Sequence, residues 1–416
     1  MVAGLSGKMK RVIWVIFILA LILLGGAFYW SSTRDSPAPQ TKAPSTPSLP
    51  LDVRRLTSST LWEKPQEGMS LFTIPCLKRL HWISATNTKI VWCGADKTES
   101  EMKKLKEPHP YWAKAIYLYD VMTKEEVKIA EASRPEGQVM PVSISGDWVI
   151  WSDYTDRVPY GGDWIFFAYN LKTKEKLILD KGEDKKLQQG APYPRIHGDR
   201  VIWREVEPDL EGKKGQRVIK IYDLATRKIT TFAFPYFNLS SPAIHGDRIV
   251  YYKGPMDKAQ GPGHIYLYDL RTGIEKQISE SGKAYGPAIW GDKIAWLEAW
   301  TGPGGGWMGA NVFLHCLLSG KTQQLTLEEK ADHLFMGEVF VAWYSSHPWA
   351  TVYNLVTGRL EVVDKDNVSL IYTSDRILVW TWHDKGALEV MLRAGDPYCE
   401  ELEGKEENRA IIYNPP

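Results

Sequence analysis

Hydrophobic and polar residues alternate with period two in short segments along most of the chain after residue 51. The segment GDRVIW at 198–203 is typical, because a Gly-Asp pair precedes a short apolar run that ends in an aromatic residue. The related segments are NTKIVW (87–92), GDWVIW (146–151), GDRIVY (246–251), GDKIAW (291–296), GEVFVAW (337–343) and SDRILVW (374–380). Alternation of this kind predicts β-strands, and Gly-Asp between two strands predicts a tight hairpin.

A second recurring segment follows each of the first six. It is IYLYDLRTG at 265–273, and its relatives begin at residues 116, 167, 219, 312 and 351. Each repeat then holds four antiparallel strands within roughly 50 residues, a period typical of propeller blades. We therefore predict an all-β protein, a seven-bladed β-propeller, with six or eight blades as open alternatives. Residues 51–59 resemble the fourth-strand copies and are predicted to close the ring as an outer strand.

The turn after this second segment has two recurring features with a local physical cause. One position carries glycine in three repeats and a basic residue in the other three, which predicts a left-handed backbone conformation. These residues are Gly273, Gly320, Gly358, Lys124, Lys174 and Arg227. An Asp or Asn precedes five of these six turns, and its side chain is predicted to cap the turn. These residues are Asp120, Asn170, Asp223, Asp269 and Asn354.

The N-terminal segment has a different composition. Residues 1–11 contain three basic residues and are predicted to form a cytoplasmic flank. Residues 12–30 form an uncharged run that spans about 28 Å as a helix, which predicts a transmembrane signal anchor. The basic flank orients this anchor so that the rest of the chain lies on the extracytoplasmic side of the cell membrane. A cleaved signal, with small residues Gly25 and Ala27 near the cleavage site, stays an alternative.

The propeller domain is predicted to occupy residues 51–416, behind a stalk at 31–50. Five prolines among Ser and Thr favour an extended chain in that stalk. The whole chain has 51 basic and 50 acidic residues, so no overall field attracts nucleic acid. Its 18 Trp and 20 Tyr suit strands whose flat side chains pack between sheets.

The four cysteines show no spacing that indicates a zinc site. Cys76 and Cys93 flank the first hairpin, and a closed ring brings Cys399 beside the first repeat. One or two disulfides are possible in an oxidising compartment, and their pairing stays open because spacing does not fix connectivity. Cys316 lies in a strand copy and is predicted to be a buried small hydrophobic residue.

The motifs IYLYDLRTG (265–273) and SPAIHGDRIVYY (241–252) resemble the TolB-like, or WD40-like, propeller repeats of exported bacterial and archaeal proteins. The resemblance covers about residues 77–392 and implies a propeller outside the cytoplasm, most often a scaffold for protein contacts. In some relatives such a propeller precedes a serine peptidase domain, but this chain has no GxSxG elbow, so that enzyme is not expected. TolB itself has an N-terminal α/β domain where this chain has the predicted anchor and stalk, so its role is not carried over.

The connections between second and third strands are long and varied, whereas the turns at the other end of each blade are short. The long connections occupy residues 97–114, 154–164, 205–216, 253–264 and 298–311. Elaboration on one side of a rigid scaffold predicts one working face. Exposed aromatic residues there can stack on sugars or anchor a protein, although they can also fold back over the blades. The candidate ligand-binding residues are Tyr111, Trp112, Tyr160, Trp164, Trp300, Trp307, Trp349 and Trp382.

Acidic residues recur shortly after the strand-ending aromatic residue, at Asp153, Glu205, Glu298 and Asp384. Converging carboxylates can bind a divalent cation or act as an acid and base pair. Because the position recurs between repeats, structural hydrogen bonding is the favoured interpretation. No histidine spacing indicates a metal site, so the sequence predicts no catalytic residue, metal or cofactor.

These observations predict an exported, membrane-anchored propeller that acts as a non-enzymatic binding module through its long loops. The expected partner is another envelope protein or a glycan. Two alternatives stay open. One is a polysaccharide-acting lyase or hydrolase with its site in the propeller funnel, and the other is an architectural subunit of an envelope complex that uses the blade sides.

Overall fold

The computed structural model describes residues 69–393 with gaps at 76–79, 96–112, 136, 155–162, 184–192, 209–214, 235–236, 240–241, 256–262, 302–306, 346–348, 365–367 and 383–386. These residues belong to one compact unit, Val53–Pro416. The described part of the chain consists of strands, turns and connections, and it contains no helix that is long and apolar enough to cross a membrane. The predicted flank, anchor and stalk at 1–11, 12–30 and 31–50 lie outside it.

Twenty-nine strands account for this unit. The first nine are β1 (Met69–Pro75), β2 (Leu80–Ala85), β3 (Lys89–Gly94), β4 (Ala115–Asp120), β5 (Glu125–Glu131), β6 (Gln138–Ser145), β7 (Trp148–Tyr154), β8 (Asp163–Asn170) and β9 (Lys176–Glu183). The next nine are β10 (Arg195–His197), β11 (Arg200–Pro208), β12 (Gly215–Asp223), β13 (Lys228–Phe234), β14 (Phe237–Leu239), β15 (Ala243–His245), β16 (Arg248–Pro255), β17 (His264–Asp269) and β18 (Ile274–Gln277).

The last eleven strands continue the same pattern. They are β19 (Ala284–Trp290), β20 (Lys293–Thr301), β21 (Trp307–Cys316), β22 (Lys321–Gln324), β23 (Ala331–Met336), β24 (Phe340–Ser345), β25 (Trp349–Asn354), β26 (Arg359–Asp364), β27 (Val368–Ser374), β28 (Ile377–Trp382) and β29 (Ala387–Arg393). They complete a chain in which each strand pairs antiparallel with its neighbours.

The strands form seven antiparallel sheets. In chain order these are β2–β5, β6–β9, β10–β13, β14–β18, β19–β22, β23–β26, and a last sheet of β27, β28, β29 and β1. The innermost strands β2, β6, β10, β15, β19, β23 and β27 each contact the next, and β27 contacts β2. This closed ring confirms the prediction of an all-β propeller.

Each pair of consecutive sheets encloses its own hydrophobic layer. Ile150 and Phe166 of the second sheet pack against Trp203 of the third, and Ile377 of the last sheet packs against Ile90 of the first. The recurring aromatic residues within the second strands contribute to these layers, and Trp203 is fully buried. Burying one such side chain contributes about 4–6 kcal/mol of gross hydrophobic free energy. A Trp or Tyr therefore recurs in each blade because this position is buried in the hydrophobic layer between sheets.

The ring is closed by an N-terminal strand, but not by the predicted one. Strand β1 pairs with β29 from Met69↔Arg393 to Pro75↔Ala387 and supplies the outer strand of the last sheet. Residues 51–59, to which the sequence assigned this role, lie outside the described residues. The prediction that an N-terminal strand closes the ring is correct, but that strand is Met69–Pro75 and not residues 51–59. Both segments have an alternation that suits an outer strand, so the pattern does not distinguish them.

The turn chemistry follows the sequence closely. The Gly position of the Gly-Asp hairpins has a φ of 55 to 58°, as at Gly198, and the basic residues Lys124, Lys174 and Arg227 adopt a φ of about 60°. The capping prediction is confirmed as well, since Oδ1 of Asn170 accepts the backbone N–H groups of residues 172 and 173 at 3.0 and 2.9 Å. Local chemistry therefore fixes the strand ends.

Arginines after two Gly-Asp turns join neighbouring sheets. Arg200 donates to the carbonyl oxygen of Gly246 at 3.1 Å and forms an ion pair with Asp247. Arg248 donates to the carbonyl oxygen of Gly291 at 3.1 Å. The GDR triplet thus links one sheet to the turn of the next, a role the sequence pattern did not reveal.

The described cysteines differ from expectation. Cys93 is buried with a free thiol, so neither of the open pairings through Cys93 is formed, and burial raises the pKa of this thiol well above the usual range. Cys76 and Cys399 lie outside the described residues. Cys316 is also free and only partly buried, and its Sγ lies 3.5 Å from Oδ2 of Asp292.

Candidate functional site

The two ends of the propeller differ in their connections. The second strands end at Gly94, Tyr154, Pro208, Pro255, Thr301, Ser345 and Trp382. We call this end the long-loop face, and the end with the turns between first and second strands the short-turn face. Antiparallel pairing places all second-to-third connections on the long-loop face. The middle of each of these connections lies outside the described residues, so the site is built from the strand ends that flank them.

Trp307 is an exposed aromatic side chain on the long-loop face. It begins β21, and 66% of its surface is accessible, while 44% is accessible at the neighbouring Met308. Both residues extend β21 beyond the packed part of the sheet, where Ala310 and Val312 are buried. Large apolar side chains left exposed at such a position are typical of binding sites.

The segment beneath Trp307 is held by several contacts. Nε1 of Trp300 donates to the carbonyl oxygen of Glu329 at 2.6 Å, and the N–H of Glu329 donates to Oδ1 of Asn311 at 3.0 Å. Gly309 lies so close to the backbone of Glu329 that a Cβ atom does not fit. Leu327, which is 61% exposed, lies with Glu329 in the connection between β22 and β23. Trp300 is therefore a partly buried support, and Trp307 is the residue that it helps to present.

Trp164 does not belong to this exposed surface. Its ring is buried with 4% exposure, lies 5.0 Å from the ring of Phe166, and covers Gly182. Strand β8 begins at Asp163, so Trp164 occupies an inward position of a strand and not the tip of a loop. The prediction that it contributes to a ligand-binding face is corrected, and Trp164 is a core residue.

The structure describes less of the surroundings of the other candidate residues. Tyr111, Trp112 and Tyr160 lie outside the described residues. Trp349 begins β25 and Trp382 ends β28, which places both backbones at the long-loop face, but their side chains lie outside what is described. Trp300 and Trp307 are therefore the two candidates whose surroundings are defined at this face.

The recurring acidic residues form local hydrogen bonds. Nε1 of Trp296 donates to Glu298 at 2.9 Å, and Nε1 of Trp203 donates to Glu205 at 3.3 Å. Glu205 also forms an ion pair with Lys220 at 2.8 Å. Burial raises the pKa of Glu205, and Lys220 partly offsets that effect. These two carboxylates thus accept the indole N–H groups of the recurring tryptophans in their own strands.

Asp153 also accepts a local hydrogen bond, but its donor is a backbone N–H group and not a tryptophan. It is buried and accepts the backbone N–H of Ser133 at 3.0 Å. Burial raises its pKa, an effect that Ser133 reduces. Asp384 lies outside the described residues, within which no group of three His, Cys, Asp or Glu side chains is arranged to hold a metal ion.

The channel at the propeller axis contains an aromatic cluster near the short-turn face. The rings of His197 and His245 lie 4.0 Å apart, and Trp290 lies 4.6 Å from His245. Nδ1 of His197 accepts the backbone N–H of Gly246 at 2.9 Å, so its imidazole is held neutral. Burial lowers the pKa of His197, and burial together with His197 and Arg248 lowers the pKa of His245 to about 4.

Farther along the channel, Arg195 begins β10 and lies beside aromatic rings of two other sheets. Its guanidinium carbon is 5.8 Å from the ring of Trp82 and 5.9 Å from that of Phe335. The cavity along the axis offers about 150 Å³ of water-accessible space. Arg195, His197 and His245 were not among the residues predicted from the sequence to bind a ligand. The available signal was the position of His before Gly-Asp in two consecutive repeats, RIHGDR and AIHGDR.

Comparison with known proteins supports the fold and does not assign a family. No family model and no curated protein sequence matches the chain. Among solved structures, the β-propeller domain of the Trilobed protease from Pyrococcus furiosus is similar at a TM-score of 0.55 and 12% identity, over 76% of this chain and 94% of that one. An acylaminoacyl peptidase from Pyrococcus horikoshii is similar at 0.55 and 12%, over 79% of this chain and 54% of the peptidase. The chain thus spans about half the length of that peptidase, and at this identity the likeness shows the propeller fold alone.

Proposed function

We propose that this chain is a membrane-anchored propeller on the extracytoplasmic side, where it acts as a non-enzymatic binding module. Its long-loop face contacts another envelope protein or a glycan. The uncharged run at 12–30 is the proposed anchor, and residues 31–50 are the proposed stalk that holds the propeller away from the membrane.

The exposure of Trp307 carries this proposal. A tryptophan that is 66% exposed beside an exposed Met308 is unfavourable in a monomer, since contact of these apolar surfaces with water raises the free energy of the folded chain. The ordered backbone beneath Trp307, fixed through Glu329, lowers the entropy lost when a partner binds. Aromatic side chains on such supports are typical interaction hot spots, and their flat faces also stack on sugar rings.

The roles of the acidic residues favour binding over catalysis at this face. A glycosidase needs two carboxyl groups that face one substrate bond. Glu298 accepts a hydrogen bond from Trp296, Glu205 is engaged by Trp203 and Lys220, and each carboxylate serves its own sheet. These contacts favour the structural interpretation of the recurring acidic position, and they leave the aromatic surface as the feature that suggests a ligand.

The test is a capture experiment with the full chain in detergent micelles. Native protein, Trp307→Ala and Leu318→Ala are immobilised at equal density, and a detergent extract of the source membrane and its glycans are passed over each. Leu318 is the matched control because it is 83% exposed in the 317–320 turn on the short-turn face. Thermal unfolding of each variant verifies that all three samples fold alike.

We expect the partner to be retained by native protein and Leu318→Ala and lost by at least about tenfold from Trp307→Ala, the effect of one hot spot. Equal retention by all three proteins would contradict the proposed face. Loss from Leu318→Ala alone would place the contact on the short-turn face.

A further inference from the structure

Arg195 places a positive charge inside the channel. It starts β10 of the third sheet, and its guanidinium lies between Trp82 of the first sheet and Phe335 of the sixth, at 5.8 and 5.9 Å. These rings attract the cation through their faces, and such contacts do not use its five N–H donors. No hydrogen bond from these donors to a described residue is present, so the contacts hold the charge without consuming its hydrogen-bonding capacity.

Within the described part of the chain, this charge has no acidic counterpart. Its electrostatic neighbours are the hydroxyl of Tyr372 and the imidazole of His333. His333 itself is paired with Asp332 at 3.0 Å. The channel lining also contains Asp375, in the turn at the short-turn face, where burial and the charge of Asp375 both raise the pKa of Tyr372. An uncompensated guanidinium in a confined space has a large desolvation cost, which an anion relieves.

The cavity next to Arg195 can accept such an anion. It offers about 150 Å³ of water-accessible space, below the roughly 300 Å³ typical of sites for drug-sized ligands. The hydroxyl of Tyr372, which lines this cavity, is fixed by a hydrogen bond from Ser84 at 3.1 Å. The part of the wall beside Arg195 therefore combines the hydroxyl of Tyr372, the guanidinium and the ring of Phe335. A single planar guanidinium matches the fork geometry and single charge of a carboxylate.

We propose that the propeller channel binds a carboxylate on Arg195, flanked by Trp82 and Phe335. The carboxylate belongs to a small organic acid or to the end group of a larger molecule, such as a peptide C-terminus. This site lies within the ring of inner strands. It is independent of the binding proposed for Trp307, and neither proposal depends on the other.

The test is calorimetric titration of the full chain in detergent with benzoate, with its neutral isostere benzamide, and with inorganic phosphate. A tripeptide with a free C-terminus and the same peptide as its C-terminal amide distinguish the two sources of the carboxylate. The variants are Arg195→Gln, Arg195→Lys and Arg271→Gln. Arg271 is a matched control because its side chain is 66% exposed outside the channel. Thermal unfolding is followed for every sample with and without benzoate.

We expect benzoate to bind native protein and Arg271→Gln with a Kd of about 1 mM, and Arg195→Gln at least about tenfold more weakly. Arg195→Lys keeps the charge without the fork and binds with intermediate affinity. Benzamide does not bind. Binding of the free peptide but not its amide identifies a peptide end group, and binding of benzoate alone identifies a small acid.

The unfolding temperature separates this role from a purely structural one. In buffer without carboxylate, Arg195→Gln should unfold at the native temperature or above it, because an unpaired charge has been removed. It should also lose the upward shift that benzoate gives to native protein. The proposal is overturned if native protein binds no carboxylate, if Arg195→Gln binds benzoate as native protein does, or if phosphate binds more tightly than every carboxylate.

Discussion

Acidification should destabilise the propeller through the neighbouring histidines of the channel, His197 and His245. The folded chain keeps His245 neutral down to about pH 4, whereas an unperturbed imidazole takes up its proton near pH 6.5. Between these values the unfolded chain binds more protons, so the free energy of unfolding is full above about pH 6.5 and falls as the pH decreases toward 4. Burial of His197 lowers its pKa as well and acts in the same direction.

The size of the effect follows from the same two values. A pKa that falls from 6.5 to about 4 corresponds to at most about 3 kcal/mol. The ring of His245 retains contact with solvent, and screening reduces this contribution to about 1–2 kcal/mol. Substitution by phenylalanine removes the titration and keeps an aromatic ring against Trp290, which lies 4.6 Å away.

Urea unfolding of native protein and His245→Phe, followed by tryptophan fluorescence at pH 7.5, 6.5, 5.5 and 4.5, isolates this contribution. Acidic residues titrate equally in both proteins and cancel in the comparison. We expect native protein to lose about 1–2 kcal/mol more than His245→Phe between pH 7.5 and 4.5. Equal losses in the two proteins, or a larger loss in His245→Phe, would refute the assignment of a low pKa to His245.

Two further predictions concern the turns and the contacts between sheets. Lys174 has a φ of 61°, so Lys174→Gly should raise the free energy of unfolding by about 0.5–1 kcal/mol, while Gly273→Ala, at a φ of 70°, should lower it by about 1 kcal/mol. Opposite signs in urea unfolding test the left-handed position, and two changes of the same sign contradict it. Arg200→Ala should cost about 1 kcal/mol, because it removes a hydrogen bond to Gly246 and an ion pair with Asp247. The exposed control Lys172→Ala should change the unfolding midpoint little, and equal midpoints for both variants argue against a contact between sheets.

Much of the fold could be predicted because its determinants are local and repeat. Period-two alternation identifies strands such as β17 wherever it occurs. The Gly-Asp hairpin and the capping of residue 172 by Asn170 depend on residues two or three positions apart. The repeating Trp of the second strand indicated the core, and Trp203 is fully buried there. These features can be predicted from neighbouring residues alone, without knowing how the sheets close into a ring.

Features that depend on closure of the ring were harder to predict. The outer strand Met69–Pro75 pairs with a segment more than 300 residues away, and a second stretch with similar alternation was chosen instead. Trp164 was assigned to the connection at 154–164, whereas its strand already begins at Asp163. The channel residue Arg195 is one of many arginines in the sequence, and its surroundings come from two other sheets.

The proposed binding face can be tested directly by site-specific photo-crosslinking in the source membrane. A benzophenone amino acid replaces Trp307 in one protein and Leu318 in another, since both side chains are well exposed but lie on opposite faces. Illumination followed by mass spectrometry identifies what each position touches. If the long-loop face is the binding face, we expect a specific protein or glycan adduct from position 307 and none from position 318. Adducts from position 318 with none from position 307 would contradict the claim that the long-loop face is the binding face.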